Sequence, residues 1–218
     1  MPVTAYCDIR FHRHIIPPLN TIVEVGARYG DESLELSNLF QAAKIYSFEC
    51  NPKTVEQCRK TLANAPNVTF SSYALGSSES TLPFFRYTKD NDGASSLYKR
   101  IDADETQEYA GLVETRRLDS ILGDQVIDLL CMDVQGYELE VLKGTNLSKV
   151  RYIIQEEPNP VINTNFLPPR THSKYIDAPS SSEISSFLHS NNFRELERLQ
   201  ENYIEDNVLW ANVDLNGL

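Results

Sequence analysis

The sequence lacks the features that define several large classes of protein. No apolar run approaches the roughly 20 residues that a membrane-spanning helix needs. The first 20 residues have neither a continuous apolar core nor a small-residue cleavage site, so we expect no signal peptide. The four cysteines form no CxxC pair, which disfavours zinc sites and disulfides and is typical of reduced thiols. We therefore expect a soluble, cytoplasmic protein with no membrane span.

Basic residues are also scarce. Lys and Arg number 20 against 31 Asp and Glu, which gives a net charge of −11, and the cations are scattered singly. Such a charge repels a phosphate backbone, whereas nucleic-acid-binding proteins usually carry a basic face. A neutral or cationic substrate suits this balance better, and we expect no nucleic-acid partner.

What the sequence does contain is an alternation of apolar runs with amphipathic stretches. The nearly continuous apolar run at 127–132 is typical of a central parallel strand covered on both faces. Strands that alternate with helices of this kind indicate a doubly wound α/β sheet. The predicted strands are 21–25, 44–48, 67–75, 126–134 and 150–156; the predicted helices lie in "DESLELSNLFQAA", with Leu36, Leu39, Phe40 and Ala43 on one face, and in "TVEQCRKTLANA".

Two polar, turn-rich stretches interrupt this pattern, at 86–111 and 158–182. Ligands of open α/β sheets bind beyond the carboxyl ends of the strands. Because residues 158–182 directly follow a predicted strand, we expect them to form a substrate-side loop. We predict a single domain, 1–218, made of an N-terminal cap segment at 1–20, a cofactor-binding core at 21–157, that loop, and a helix with two antiparallel strands at 183–218.

The stretch "TIVEVGARYGDESLEL", residues 21–36, raises the question of which ligand the glycine turn binds. A dinucleotide site needs G-x-G-x-x-G, so that the backbone can close on a pyrophosphate at a helix N-terminus. Here Glu24 takes the first position, Gly26 and Gly30 follow, and the next helix begins with Asp31 and Glu32. Those carboxylates satisfy the positive end of the helix dipole and repel a phosphate. The turn therefore favours a ligand without phosphate, such as S-adenosylmethionine.

Two acids match the needs of that cofactor. Glu49 ends the second predicted strand, where an acid can accept hydrogen bonds from both ribose hydroxyls. Glu24 can hold the ammonium group of the methionine part, directly or through water. Either feature alone has a plainer interpretation, a tight connection or a solvated loop acid. Their combination at this spacing favours the cofactor.

These stretches resemble the FkbM-type methyltransferases, which belong to the class I S-adenosylmethionine-dependent enzymes. The matching segments cover 21–157 in the family's order and include "TIVEVGARYGDESLELS", "IYSFECNPKTVEQCRK", "GASSL" and "IDLLCMDVQGYELEVLKG". Arg28, Cys50 and Gln135 stand where the family usually has Asn, Pro and Glu. The resemblance implies a Rossmann-like class I methyltransferase sheet, mostly parallel with an antiparallel C-terminal strand.

The turn and the resemblance together predict a cofactor-binding set. Tyr73 and Ala74 are expected beside the adenine ring, although Tyr73 alternatively packs in the core. Ser95 and Ser96 are expected near the methionine carboxylate or the substrate, although serines in loops are more often turn formers. The full set is Glu24, Gly26, Ala27, Arg28, Gly30, Glu49, Cys50, Tyr73, Ala74, Ser95, Ser96 and Asp133.

The resemblance also implies methyl transfer to oxygen, often a sugar hydroxyl. An alcohol is a weak nucleophile near neutral pH, so a base or a metal must take its proton. Asp133, after the central strand, is the predicted base, and His172 in the Pro-rich loop is a second candidate. Alternatively, Asp133 binds Mg²⁺ or Mn²⁺ with oxygen ligands from Glu156, Glu157 and Asn159. The plainer interpretation of those acids is that they are solvated at a strand end.

The sequence thus predicts an O-methyltransferase that acts on a small-molecule or glycan acceptor, with a deoxyhexose such as rhamnose or fucose as first candidate. Alternatives are an RNA cap enzyme, disfavoured by the missing Lys-Asp-Lys-Glu set and basic face, and another small-molecule O-methyltransferase. A non-catalytic module that only binds S-adenosylmethionine would need the same cofactor residues. A homodimer is left open.

Overall fold

The structure is a computed structural model that describes residues 5–89, 92–160, 174–201 and 204–217. None of the helices in these ranges has the length and apolar character that a membrane crossing requires. The strands are β1 Thr21–Val25, β2 Lys44–Phe48, β3 Val68–Ser71, β4 Ala74–Leu75, β5 Ser80–Tyr87, β6 Gln107–Arg116, β7 Ile127–Met132, β8 Val150–Pro158, β9 Phe193–Gln200 and β10 Glu205–Asn212. The helices are α1 Ile9–His12, α2 Asp31–Leu39, α3 Val55–Thr61, α4 Ala103–Thr106, α5 Leu118–Leu122, α6 Glu138–Lys143, α7 Ser181–Ser190 and α8 Val213–Asn216.

A seven-stranded sheet lies at the centre of the fold, in the order β3-β2-β1-β7-β8-β10-β9. The five strands from β3 to β8 are parallel, and β10 pairs antiparallel with both β8 and β9. This confirms the predicted α/β class, mostly parallel with an antiparallel strand near the C-terminus. The strand order reverses direction between β1 and β7, so their carboxyl ends flank the crevice where such sheets bind ligands.

Core packing on both faces of the sheet explains the continuous apolar run of β7. One cluster joins Leu130 and Met132 to residues of α6 and α7, including Leu142 and Leu188. A separate cluster joins Leu129 and Cys131 to Leu36 of α2 and to Tyr6, Phe11, Ile15 and Leu19 of the N-terminal segment. The residues that precede β1 therefore complete the core beneath the sheet.

The predicted apolar face of the first helix is only partly right. Leu36 is buried, but Leu39 is 56% exposed, and α2 ends there, so Phe40 and Ala43 follow the helix. The side-chain amide of Asn67 donates to the carbonyl oxygens of Phe40 and Ala43, at 3.2 and 3.0 Å. These bonds satisfy carbonyls that another helical turn would have used. The helix is therefore shorter than its sequence pattern suggested.

A second, three-stranded sheet, β4-β6-β5, was not predicted. The expected single strand at 67–75 is wrong, since β3 belongs to the large sheet and β4 to the small one. The stretch 86–111, predicted as a loop, contains the end of β5 and the beginning of β6. β6 exposes Tyr109 and Leu112. Such a strand lacks the alternation that marks a half-buried strand in sequence.

The small sheet and the segment after β8 flank the carboxyl edge of the large sheet. Phe84 and Val113 of the small sheet pack with Ala74, Cys50 and Leu97. Of the predicted substrate-side loop, residues 161–173 lie outside the described ranges. Just after them, the backbone of 174–176 bonds to 99–101, through Ile101 N to Lys174 O and Ile176 N to Lys99 O. The division of the chain into one domain with four parts stays a prediction.

Candidate active site

A cavity of about 280 Å³ opens at the carboxyl ends of β1, β2 and β7. Two predicted residues, Glu24 and Gly30, lie behind its wall. The other members of the predicted cofactor set line it: Gly26, Ala27, Arg28, Glu49, Cys50, Tyr73, Ala74, Ser95, Ser96 and Asp133. The fold thus brings together, in one cavity, residues that lie more than a hundred positions apart in the chain.

The glycine turn after β1 is shaped by close packing. Gly26 has φ +92°, and a Cβ atom there would lie 2.0 Å from the carbonyl oxygen of Asp133. The backbone N–H groups of Gly26 and Ala27 donate to the carbonyl of Phe48, at 2.9 and 3.0 Å. Gly30, with φ +84°, begins α2 in the left-handed conformation. The two glycines therefore allow the chain to turn between the ends of β2 and β7.

Glu24 is fully buried in β1. Its Oε2 accepts a hydrogen bond from the Ser33 hydroxyl, whereas Oε1 has no hydrogen-bond partner in the described part of the chain. Burial, with the nearby charges of Glu32 and Glu49, raises the pKa of Glu24 well above its ordinary value. Since Glu24 does not line the cavity, a direct contact with the ammonium group of a ligand does not fit this position. The predicted alternative, a contact through water, does.

Glu49 lies on the cavity wall and is held by the backbone. Its Oε2 accepts from the N–H of Arg28 and its Oε1 from the N–H of Asn51, both at 2.6 Å. Burial raises the pKa of Glu49 to about 7, although these backbone bonds act in the opposite direction. Each carboxylate oxygen can accept a second hydrogen bond. Glu49 is therefore able to accept from ribose hydroxyls while it fixes the turn after β1.

The expected adenine side is apolar. The Tyr73 ring packs on Phe48, with ring centroids 5.6 Å apart, and the Arg116 guanidinium lies 4.4 Å from its centroid. Burial raises the pKa of the Cys50 thiol well above its ordinary value, so this side chain is neutral. Tyr73 packs against the core and also lines the cavity, so the position beside the adenine ring stays a prediction that this packing does not oppose.

Ser95 and Ser96 line the cavity, but their hydroxyls are engaged within the loop. Ser95 Oγ donates to Asp92 O at 2.7 Å and accepts from Tyr87 N at 3.0 Å. Ser96 Oγ donates to Gln135 O at 2.8 Å and accepts from Tyr98 N at 3.0 Å. The geometry favours the turn-forming alternative for both serines.

Arg28 is the one cation on the cavity wall within the described ranges. Its φ is +49°, its guanidinium lies 4.8 Å from the Tyr29 ring centroid, and its buried Nε has no hydrogen-bond partner among the described residues. Asp92, which sequence reasoning missed, accepts from the Tyr29 hydroxyl at 2.8 Å. Asp92 lies in a polar loop among other acids and amides, and no sequence pattern distinguishes it from them.

Asp133, directly after β7, is the proposed acid–base group of the site. Asp133 lines the cavity, and its Oδ1 accepts from the side-chain amide of Gln135 at 2.6 Å. The same amide nitrogen donates to Glu156 Oε2 at 2.8 Å. Burial raises the pKa of Asp133 to about 6, and burial together with the charge of Asp133 raises that of Glu156 well above its ordinary value. The sequence analysis placed Asp133 and Glu156 in one predicted metal site but did not predict the bridge between them through the Gln135 amide.

The contacts of the described residues do not support the predicted four-residue metal set as a group. Glu157 is buried, accepts from Trp210 Nε1 at 2.7 Å and pairs with Arg198 at 3.1 Å. Asn159 donates to Asp206 at 2.9 Å. Successive strand residues point to opposite faces, so Glu156 and Glu157 cannot both face Asp133. No cluster of three or more His, Cys, Asp or Glu placed to bind a metal occurs in the ranges described, and His172 lies outside them.

The fold agrees with that of a solved methyltransferase domain. The N-terminal domain of EvdMO1, solved with SAH (S-adenosylhomocysteine) bound, has a TM-score of 0.50 and 12% identity, over 93% of this chain and 78% of that one. Strand order, reversal point and glycine turn define a class I S-adenosylmethionine-dependent methyltransferase.

Sequence comparison then gives the family. A model described as "Methyltransferase FkbM domain" matches residues 24–195, so the chain belongs to the FkbM methyltransferase family. It is 28% identical over 182 residues to the 2-O-methyltransferase NoeI of Sinorhizobium fredii, which covers 75% of each chain. It is 31% identical over 162 residues to the methyltransferase sdnD of Sordaria araneosa, or 60% of this chain and 62% of that protein.

Proposed function

We propose that this enzyme transfers the methyl group of S-adenosylmethionine to a hydroxyl oxygen of a small-molecule or glycan acceptor, with a deoxyhexose as first candidate. The observation that carries the proposal is the position of Asp133 on the wall of the cofactor cavity, where burial raises the pKa of its carboxyl group to about 6. The similarity to a protein named as a 2-O-methyltransferase supports oxygen as the acceptor atom.

The lining of the cavity fits the cofactor. Asp31, Glu32 and Glu49 give the wall carboxyl groups whose ionised forms a sulfonium or an ammonium group would stabilise and a phosphate would disfavour. Glu49 would hold the ribose. Arg28, whose Nε has no hydrogen-bond partner among the residues that the structure describes, would hold the methionine carboxylate. The same acidic wall disfavours capped RNA as the acceptor.

When bound, the cofactor would supply a methyl group activated by its sulfonium sulfur. The rest of the cofactor would leave as a neutral thioether. The protein then has to align the acceptor oxygen with that methyl group and take its proton. With a pKa of about 6, Asp133 is mostly ionised at neutral pH and can accept the proton. The protonated Asp133 returns the proton to solvent after the product leaves.

The test is transfer of a radiolabelled methyl group onto a panel of deoxyhexosides, small phenols and capped RNA. We expect label on a sugar hydroxyl. Asp133→Asn should lower turnover by about 100-fold or more, the usual range for a general base, while the Kd for S-adenosylhomocysteine changes little. Asp124→Asn, which removes an exposed carboxylate, is the matched control.

Each outcome is informative. Label on RNA and on no sugar would overturn the proposed acceptor. Full turnover in Asp133→Asn would overturn the role of Asp133 as base. Cofactor binding without transfer to any acceptor class would favour a module that only binds the cofactor.

A further inference from the structure

The side chain of Gln135 occupies the boundary between two cavities. Asp133 and Gln135 line the cofactor cavity, whereas Glu156 and Tyr175 line a smaller one beside it. Gln135 uses all of its side-chain polar groups there: Nε2 donates to Asp133 and Glu156, and Oε1 accepts from the Tyr175 hydroxyl at 2.6 Å. Because carboxylates only accept hydrogen bonds, the amide nitrogen must face them.

The backbone holds this side chain in place. Gln135 has φ +55°, an unusual conformation for a residue with a side chain, and its carbonyl accepts from the Ser96 hydroxyl at 2.8 Å. The Tyr175 ring is buried, so the hydroxyl that bonds Oε1 is itself fixed. Ser96 therefore holds the backbone of Gln135, while Tyr175 and Glu156 hold its side-chain amide.

The charges around Asp133 explain why an amide matters there. Glu156 faces it from β8 and shares a hydrogen bond with it, while Glu24 lies on β1, Glu201 and Glu205 in the C-terminal part, Glu32 on α2 and Glu138 on α6. The groups that titrate nearby also include Tyr6 and Tyr175. All of these neighbours are acidic groups, and each opposes the ionisation of Asp133 when it is itself ionised. Two close buried carboxylates repel each other, and hydrogen bonds to the charged form counter that repulsion.

We propose that Gln135 is a positioning residue for methyl transfer: its amide, fixed by Tyr175, bridges Asp133 and Glu156 and keeps Asp133 ionised and turned toward the cofactor cavity. This inference rests on the proposed function, because it takes Asp133 as the base. It adds a residue that acts on the reaction through the carboxyl group of Asp133.

The experiment follows the carboxyl group of Asp133 by carbon-13 NMR during a pH titration of the full chain, with the signal assigned through Asp133→Asn. Gln135→Leu removes both donors, and we expect the titration midpoint to rise by about one unit or more. Tyr175→Phe removes the hydroxyl that bonds Gln135 Oε1 and the Ala94 carbonyl but keeps both amide donors, so it should shift the midpoint less, in the same direction. Gln57→Glu, an exposed change on α3 that adds a charge, should leave it unchanged.

A second readout is the pH profile of turnover. Its acid limb should move upward with the NMR midpoint in Gln135→Leu, while the Kd for S-adenosylhomocysteine stays within about threefold. Should Gln135→Leu fail to fold, Gln135→Glu keeps the shape of the side chain, places a third acid at the group, and should raise the midpoint more. An unchanged midpoint in a folded Gln135 variant would overturn the inference.

The two proposals fail separately. If Asp133→Asn keeps full turnover, the proposed base is lost along with the inference. If Asp133→Asn is inactive but the Gln135 variants titrate and turn over like the parent protein, only the role of Gln135 is lost.

Discussion

The two halves of the site hold their carboxylates in different ways. In the β1–β2 half, which comprises 24–30 and Glu49, backbone N–H groups fix Glu49, the acid on the cavity wall. In the β7–β8 half, which comprises 133–135 and Glu156, the side chain of Gln135 does so. A backbone donor survives most substitutions, whereas a side-chain donor is lost with one. The support of Glu49 should therefore tolerate changes of the side chains at positions 28 and 51, whereas the support of Asp133 should be lost when Gln135 is replaced.

The largest effect is expected for Gly26→Ala, where the two halves touch. The new Cβ would lie 2.0 Å from the Asp133 carbonyl, at a residue with φ +92°. Overpacking and backbone strain together should lower the free energy of unfolding by about 4 kcal/mol, which thermal denaturation would measure. Uptake of S-adenosylhomocysteine should be lost as well.

Gly123→Ala separates the two causes, because Gly123 also has a positive φ but a Cβ there would meet nothing within 4 Å. It should cost about 1 kcal/mol. Equal losses from both variants would contradict the close approach between the halves.

The next effect concerns the two faces of β8. Glu157→Ala leaves Trp210 Nε1 without its buried acceptor and removes one of the two buried acids that pair with Arg198, the other being Asp206, so the free energy of unfolding should fall by about 3 kcal/mol. Turnover per folded molecule should not change, because Glu157 faces away from Asp133. Chemical denaturation and kinetics measure the two quantities.

Glu195→Ala is the matched control, since Glu195 pairs with the same Arg198 from a half-exposed position and should cost less than about 1 kcal/mol. A large fall in turnover in Glu157→Ala would contradict this prediction and indicate that Glu157 takes part in catalysis.

A smaller effect is expected at Glu49. Glu49→Gln replaces one acceptor oxygen by a donor against a backbone N–H and weakens any bond to ribose. The Kd for S-adenosylhomocysteine should rise about tenfold, the equivalent of one charged hydrogen bond, as calorimetry would show. The exposed Glu56→Gln should bind normally. Unchanged affinity in Glu49→Gln would remove Glu49 from the cofactor site.

The smallest effect is the dependence of binding on pH. Burial raises the pKa of Asp133 to about 6, of Glu49 to about 7 and of Glu32 to about 8. A cationic ligand favours the ionised forms, so the affinity for S-adenosylmethionine should rise several-fold between pH 6 and pH 8, with release of protons. Adenosine, which has no sulfonium, should show a weaker trend. Calorimetry in two buffers measures both, and equal trends would contradict the electrostatic role of these acids.

The same groups give the ligand-free protein the opposite trend. A carboxyl whose pKa is raised by folding binds its proton more tightly in the folded state. Its contribution to stability is complete below its unfolded pKa of about 4 and is lost as pH rises through 6 to 8. The unfolding free energy of the ligand-free protein should therefore decline as the pH rises from about 4 to about 8.

Much of the β1–β2 half could be predicted because its parts are close in sequence. Glu24, Gly26 and Gly30 lie in one turn, and Glu49 ends the next strand, so local spacing alone indicated a cavity there. The small sheet was missed because β6 is exposed and polar. Glu157 was misplaced because the sequence does not mark which face of β8 turns toward β7.

By itself, the sequence determined the alternation of strands and helices, the turn after β1 and the acid after β2, since each depends on neighbours within a few positions. Only the tertiary structure decided that Gln135 bridges Asp133 and Glu156 under the control of Tyr175, and that Glu157 joins Trp210 and Arg198 instead. Those contacts join residues far apart in the chain. The direction of each side chain there follows from strand register and packing, which local sequence does not encode.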